Sequence, residues 1–240
     1  MKIRYASLSQ CGRHETNEDS IQVIDLKRWG HWMGIICDGM GGHKNGEVAS
    51  RIVMETIGNH WWKKVENGVH DNWVEQACQI ASTALECGAS EPSNKPMGTT
   101  MVLASFWKGI VTIAHAGDSR CYLLRLGHYD YDDINSTEKD HVVYQTSDHI
   151  QKEFGWDVLT RCFLTSQPEM AVPEVKQFEV NTGDRLFLCS DGVYKCMKSN
   201  ELKEILLNGK TPEDILAVID EICAKRSDDN YSAILAMIEN

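Results

Sequence analysis

Apolar positions change their period along this chain, and the changes mark out its elements. Short apolar runs broken by polar or glycine-bearing turns predict strands over 3–9, 20–26 and 31–37. Over 47–65, Val48, Ile52, Val53 and Ile57 recur at helical spacing, which predicts a helix ending near Asn67-Gly68. Asp71-Asn72 can cap a second helix with Val74, Ala77, Cys78, Ala81 and Leu85 on one face. The pattern then returns to strands. Segments 99–107 and 110–116 flank Lys108-Gly109, which reads as a tight hairpin, and 121–126 and 142–145 follow. Asn181-Thr182-Gly183-Asp184 separates 175–180 from 185–189 as a second hairpin signal. Helices are expected over 199–207 and 211–224, with Pro212 in a first turn, and a strand over 232–238. The polar stretches 13–19, 91–96 and 127–139 are expected loops. Strands come in antiparallel runs and helices in pairs, so an alternating βαβ chain is excluded. The expected fold is α+β, two packed antiparallel sheets with helices outside, in one domain over 1–240.

Composition narrows the function classes. The 240 residues are 42% hydrophobic and 25% charged, as in an ordinary globular protein. A net charge of -11 argues against nucleic acid or an anionic membrane as partner. No apolar run approaches the ~20 residues that span a bilayer, and Met1 to Tyr5 leads into no apolar core of a secretory signal. Nine cysteines without a Cys-x-x-Cys pair make a zinc site of the usual spacing improbable and point to reduced thiols, hence a cytoplasmic location.

The most informative stretch runs from Ile35 to Gly46. Apolar residues end abruptly in Asp38-Gly39, four glycines fall within eight residues, and a helical pattern follows. A carboxylate beside a bare backbone carbonyl suits a hard divalent cation, because magnesium, manganese and calcium prefer oxygen ligands. A plain strand-turn-helix corner would look the same, so the stretch alone leaves both readings open. Four further segments repeat its logic. Asn17-Glu18-Asp19-Ser20 places two acids before a strand; Gly117-Asp118-Ser119-Arg120 puts one between two strands. Ser190-Asp191-Gly192 ends an apolar strand, and Ser227-Asp228-Asp229-Asn230 precedes the last. Each is weak by itself, since these are ordinary turn residues. Acids brought by several strand edges to one end of a sandwich are how a binuclear metal site is assembled.

In order and spacing these segments resemble the metal-dependent serine/threonine protein phosphatases of type 2C, in their bacterial branch. The matches are Arg13 with Asn17-Glu18-Asp19, Asp38-Gly39-Met40-Gly41-Gly42-His43, Gly98-Thr99-Thr100, Gly117-Asp118-Ser119-Arg120, Ser190-Asp191-Gly192 and Asp229-Asn230, spread over almost the whole chain. The resemblance implies a four-layer αββα sandwich and hydrolysis of phosphoserine and phosphothreonine in proteins. It implies two manganese or magnesium ions that share a nucleophilic hydroxide, with a weaker third. By position, Asp38 would bridge two metals and the Gly39 carbonyl would complete one. Asp191 and Asp229 would hold the first metal, Glu18 the second with Asp19 and Asn230 behind it, and Asp118 the third. Arg13 would grip the substrate phosphate, a task that suits a planar guanidinium. The implied partners are phosphorylated proteins and a cognate kinase, the chain acting as a monomer.

Several positions depart from the family pattern. Arg13 precedes Asn17-Glu18-Asp19 by one residue more than expected. Met40 stands where eukaryotic members carry a histidine, leaving metal-bound water or His43 to protonate the leaving group. Few residues separate Thr146-Ser147-Asp148-His149 from Val158-Leu159-Thr160-Arg161, so the flap around 148–158 is expected to be trimmed. Lys195 lies four residues after Asp191, where many members place another acid. Cys37 and Cys189, close to the site in sequence, read as buried strand residues. Two other functions compete with a protein phosphatase: a phosphatase of small phosphoesters, and a catalytically silent binding module. Retention of Glu18, Asp38, Asp191 and Asp229 argues against silence, since a scaffold needs no cluster of like charges.

Overall fold

A computed structural model describes residues 1–40, 45–66, 72–89, 97–125 and 141–240. The expected loops at 91–96 and 127–139, and His43, lie outside these residues. In chain order the elements are β1 (Lys2–Gln10), β2 (Asp19–Leu26), β3 (His31–Asp38), α1 (Gly46–Glu66), α2 (Trp73–Ala89), β4 (Gly98–Thr99), β5 (Met101–Trp107), β6 (Ile110–Ala116), β7 (Arg120–Leu124) and β8 (Val142–Gln145). There follow β9 (Ile150–Glu153), β10 (Trp156–Leu159), β11 (Phe163–Leu164), β12 (Glu174–Glu179), β13 (Arg185–Cys189), α3 (Asp191–Tyr194), α4 (Ser199–Leu207), α5 (Pro212–Arg226) and β14 (Tyr231–Glu239).

Two five-stranded antiparallel sheets form the centre, ordered β1-β14-β13-β7-β8 and β12-β6-β5-β3-β2. The faces of β3 show how four layers arise. Its Met33, Ile35 and Cys37 pack outward with Val53, Ile57 and Trp61 of α1 and with Ala77 and Leu85 of α2. Its Trp32 and Ile36 point the other way, into a core shared with Ile234, Ala236 and Ile238 of β14. Ala233 and Leu235, on the opposite face of β14, meet Ile215 and Ile219 of α5 and Leu202 of α4. A strand covered on both faces needs apolar residues at every position, hence the unbroken runs in the sequence. The order is helices, sheet, sheet, helices, as expected.

Local signals end the helices. Thr211 accepts a hydrogen bond from the Asp214 amide, while Asp214 reaches back to the Thr211 amide, and Pro212 fills the first turn of α5. Lys108 and Gly109 both have positive φ, making the tight turn between β5 and β6.

Pairing also brings the acids together. Asp19 and Asp38 are direct cross-strand partners at the end of β2 and β3. The turns after β13 and before β14 open at the same end, because Cys189 pairs with Ala233. The segment 150–159, which the sequence pattern left as part of a flap, is a two-stranded hairpin of β9 and β10. Phe154 and Gly155 turn it with positive φ, and Phe154 and Trp156 are exposed.

Candidate active site

A cleft of about 440 Å³ opens at this end of the sandwich. It is lined by Glu18, Asp38, Asp118, Asp191 and Asp229, with Gly39, Asn230 and four others. Five carboxylates from five separate segments thus share one small space. Backbone pairing positions the first of them. The Asp38 carbonyl accepts from the Thr100 amide at 2.9 Å and from the Thr99 hydroxyl at 2.8 Å, and the Gly39 amide donates to the Glu18 carbonyl at 3.1 Å. Gly39 must be glycine here. A Cβ would lie 2.4 Å from the Gly46 carbonyl oxygen and 2.7 Å from that of Glu18.

Asn230 organises the edge of the cleft. Its side-chain oxygen accepts from the Glu18 amide at 2.9 Å, and its NH₂ group donates to the carbonyls of Cys11 and Thr16 at 2.8 and 3.0 Å. Asp229 accepts from the Asn230 amide at 2.8 Å. Asp191 begins α3, and the Ser227 hydroxyl ties that turn to the end of α5 by donating to the Gly192 carbonyl at 2.8 Å. Asp19 is buried and takes a hydrogen bond from the Ser190 hydroxyl at 2.8 Å. Behind Asp118, Arg120 grips Asp148 with two hydrogen bonds of 2.8 and 2.7 Å and stacks over the Tyr194 ring.

Crowded like charges leave an electrostatic signature. Burial, then the charges of Asp19, Asp191, Asp118 and Asp229, hold the Asp38 carboxyl well above its ordinary range. Burial also raises Glu18 and Asp118, with Glu47 and Asp191 respectively adding to the effect. Asp19 is pushed up to about 7 by burial, against the Ser232 and Ser190 hydrogen bonds. Among the described residues, Glu18 Oε2 and Asp19 Oδ1 are buried with no hydrogen-bond partner. Unpartnered carboxylate oxygens facing other carboxylates call for a cation, and an all-oxygen donor set suits manganese or magnesium. The residues present therefore fit divalent metal.

Two positively charged residues sit differently from one another. Lys195 reaches into the cleft edge, hydrogen-bonded to Asp191 and 3.7 Å from Asp118 Oδ2. Arg13 pairs with Asp228 and donates to the Lys225 carbonyl at 3.2 Å, while its neighbour His14 lines the cleft instead. Thr100 and Leu159 belong to segments that the resemblance marked, whereas His14 carried no signal beyond its polar loop. Their place follows from strand pairing and from the hairpin, which no local pattern announces.

A sandwich of this order with acids converging at one end defines a metal-dependent hydrolase. The family model for protein phosphatase 2C matches residues 9–236. Among curated proteins, the serine/threonine phosphatase stp of Listeria innocua is 30% identical over 234 residues, 93% of this chain and 90% of its own. A putative protein phosphatase of Mycoplasma pneumoniae is 27% identical over 95% of this chain and 91% of its own. Among solved structures, a bacterial serine phosphatase superposes with a TM-score of 0.79 at 27% identity, covering 100% of this chain and 99% of that one. The catalytic domain of the phosphatase PstP, solved in complex with two manganese ions, shares the fold at 23% identity, a TM-score of 0.77 and 99% coverage of both chains. The chain belongs to the protein phosphatase 2C family. It is a metal-dependent serine/threonine phosphatase of the bacterial type.

Proposed function

We propose that this chain hydrolyses phosphoserine and phosphothreonine in proteins with Asp38 at the centre of its metal cluster. The observation that carries this reading is the convergence of Glu18, Asp38, Asp118, Asp191 and Asp229 on one cleft. Asp38, Asp191 and Asp229 would hold one cation and Asp38 and Glu18 a second, the Gly39 carbonyl completing one of the two, and Asp118 with Asp191 would hold a weaker third. When bound, two such cations supply the positive charge that activates water and neutralises phosphoryl oxygens.

Side chains do the rest by placement. Asp19 and Asn230 fix the segment that carries Glu18 through the hydrogen bonds described above. Arg13 lies outside the cleft lining and is paired with Asp228, so to grip a substrate phosphate its guanidinium would have to leave that partner. Cys37 and Cys189 are buried in their strands, and burial raises both thiols well above the ordinary range.

The expected partner is a cognate serine/threonine kinase, and the expected working form is a monomer. All nine cysteines are free, which fits a reducing, cytoplasmic setting. Among the described residues no helix is long and apolar enough to cross a membrane.

The short hairpin supports a second reading, a phosphatase of small phosphoesters, because only Leu159 of β10 reaches the cleft. Comparison of kcat/KM for phosphothreonine peptides and small phosphoesters separates the two. A protein phosphatase favours the peptides; equal or lower values for peptides would reject that assignment.

A further inference from the structure

Outside the cleft, two thiols touch. Cys196, just after α3, and Cys223, in the last turns of α5, have sulfurs 3.4 Å apart. A disulfide needs ~2.05 Å, so a modest approach of the two side chains would close it. The pair is asymmetric in ways that matter for reactivity. Cys196 is partly exposed, whereas Cys223 is fully buried. The hydrogen bond from Cys223, helped by the Arg226 guanidinium, lowers the Cys196 thiol; the same pairing and burial raise that of Cys223. An accessible, acidified thiol backed by a buried partner is the arrangement of a reactive cysteine and its resolving cysteine.

Location gives the pair a consequence. Cys196 lies five residues after Asp191, and Cys223 six before Asp229. Their two segments are already joined, since the Ser227 amide donates to the Cys223 carbonyl at 2.7 Å while its hydroxyl holds the Gly192 carbonyl. Whatever part of the sulfur approach side-chain rotation does not supply falls on these joined segments, and so on the placement of Asp191 relative to Asp229.

We propose that Cys196 and Cys223 are a reversible oxidation site whose disulfide weakens divalent-metal binding in the cleft. The oxidant is a peroxide. The Cys196 thiolate attacks one peroxide oxygen and breaks the O–O bond; the departing oxygen takes a proton and leaves as water, and Cys196 becomes a sulfenic acid. The Cys223 sulfur then attacks the Cys196 sulfur and forms the S–S bond. The sulfenic hydroxyl leaves with the Cys223 proton as a second water. Two thiols lose two electrons, and one peroxide becomes two waters. The coupling to metal, though not the linkage, rests on the phosphatase reading above.

Hydrogen peroxide added to the metal-free chain, followed by trypsin and mass spectrometry, reads the linkage. Peptide 196–198 should join peptide 211–225 with the loss of two hydrogens, and dithiothreitol should separate them. Cys196→Ser should abolish the linked peptide, and Cys223→Ala should leave a sulfenic acid at Cys196 that dimedone captures. Titration with manganese should show affinity about fivefold weaker or more in the linked protein. Oxidation of Cys196 to sulfinic acid without linkage, or oxidation confined to the exposed Cys11 and Cys87, would overturn the site. Equal manganese affinity in both redox forms would overturn the coupling. Absence of manganese binding in either form would count against the metal reading, while the peptide masses would still decide the linkage.

Discussion

Lys195 places a fixed positive charge where a third cation would bind. Its ammonium is hydrogen-bonded to Asp191 and 3.7 Å from an Asp118 oxygen, so it already neutralises part of both carboxylates. Burial works to lower its pKa, but Asp191 first, and then Asp118 and Asp38, raise it, so the charge stays on at working pH. A divalent ion on those two oxygens would meet the ammonium at about 4 Å. Repulsion between charges of +2 and +1 at that distance is ~2 kcal/mol in a water-like dielectric and several times more in a dry one. The side chain is 59% exposed, so the water-like limit applies. Lys195→Met keeps the stem and removes the charge. It should strengthen the weakest manganese site by about thirtyfold, the ratio that corresponds to ~2 kcal/mol, and Lys195→Asp by more. The effect should shrink in salt, since the Debye length is ~10 Å at 0.1 M. Calorimetric titration of the metal-free chain with manganese, at low and high salt, measures it. Superimposable isotherms for the parent and Lys195→Met would refute the reasoning.

Three other outcomes are expected. Asp19 has its pKa raised from 3.8 to about 7, chiefly by burial, so its contribution to stability is complete below about pH 4 and is lost as pH rises through 7. In EDTA the chain should therefore melt at a higher temperature at pH 5 than at pH 8, this group contributing at most ~3 kcal/mol over that window; the reverse order would contradict the assignment. Arg120→Ala leaves Asp148 without its two hydrogen bonds and should cost ~2 kcal/mol, seen as a fall in Tm of ~4–8 °C. An unchanged Tm would show that the pair contributes nothing net. With so short a hairpin over the cleft, phosphothreonine peptides of varied sequence should be cleaved at rates within ~100-fold of one another, about 2.7 kcal/mol. A wider spread would mean that another surface reads the substrate.

Much of the fold was legible because both sheets are covered on both faces. That makes β3, β5 and β13 apolar at almost every position, and the runs stand out between turns. The hairpin of β9 and β10 was not legible for the opposite reason. Its eight residues are exposed or nearly so, and Ile150-Gln151-Lys152-Glu153 has no buried face to impose alternation. Helix α3 spans only four residues, too few for a helical period, and β4 and β11 have two each. Within the site, the acids were readable since each sits in a turn at the edge of a strand, Asp38 and Asp191 just after an apolar run and Glu18 and Asp229 just before one. His14 in the cleft and the grip of Arg120 on Asp148, 28 residues away, depend on tertiary placement that no local pattern contains. Cys196 and Cys223, 27 residues apart, belong to the same class.

The central claim is that Asp38 organises a metal cluster that the phosphatase reaction requires. Asp38→Asn tests it most directly, with bound manganese and phosphothreonine-peptide turnover followed in the same preparation. In the metal-free protein the substitution removes one of five crowded carboxylates, so the fold should be kept and Tm should not fall. The parent should show turnover that requires manganese and is abolished by EDTA. Asp38→Asn should bind at least one ion fewer and lose nearly all turnover. Full manganese occupancy with full activity in Asp38→Asn, or substantial turnover by the parent in EDTA, would contradict the account.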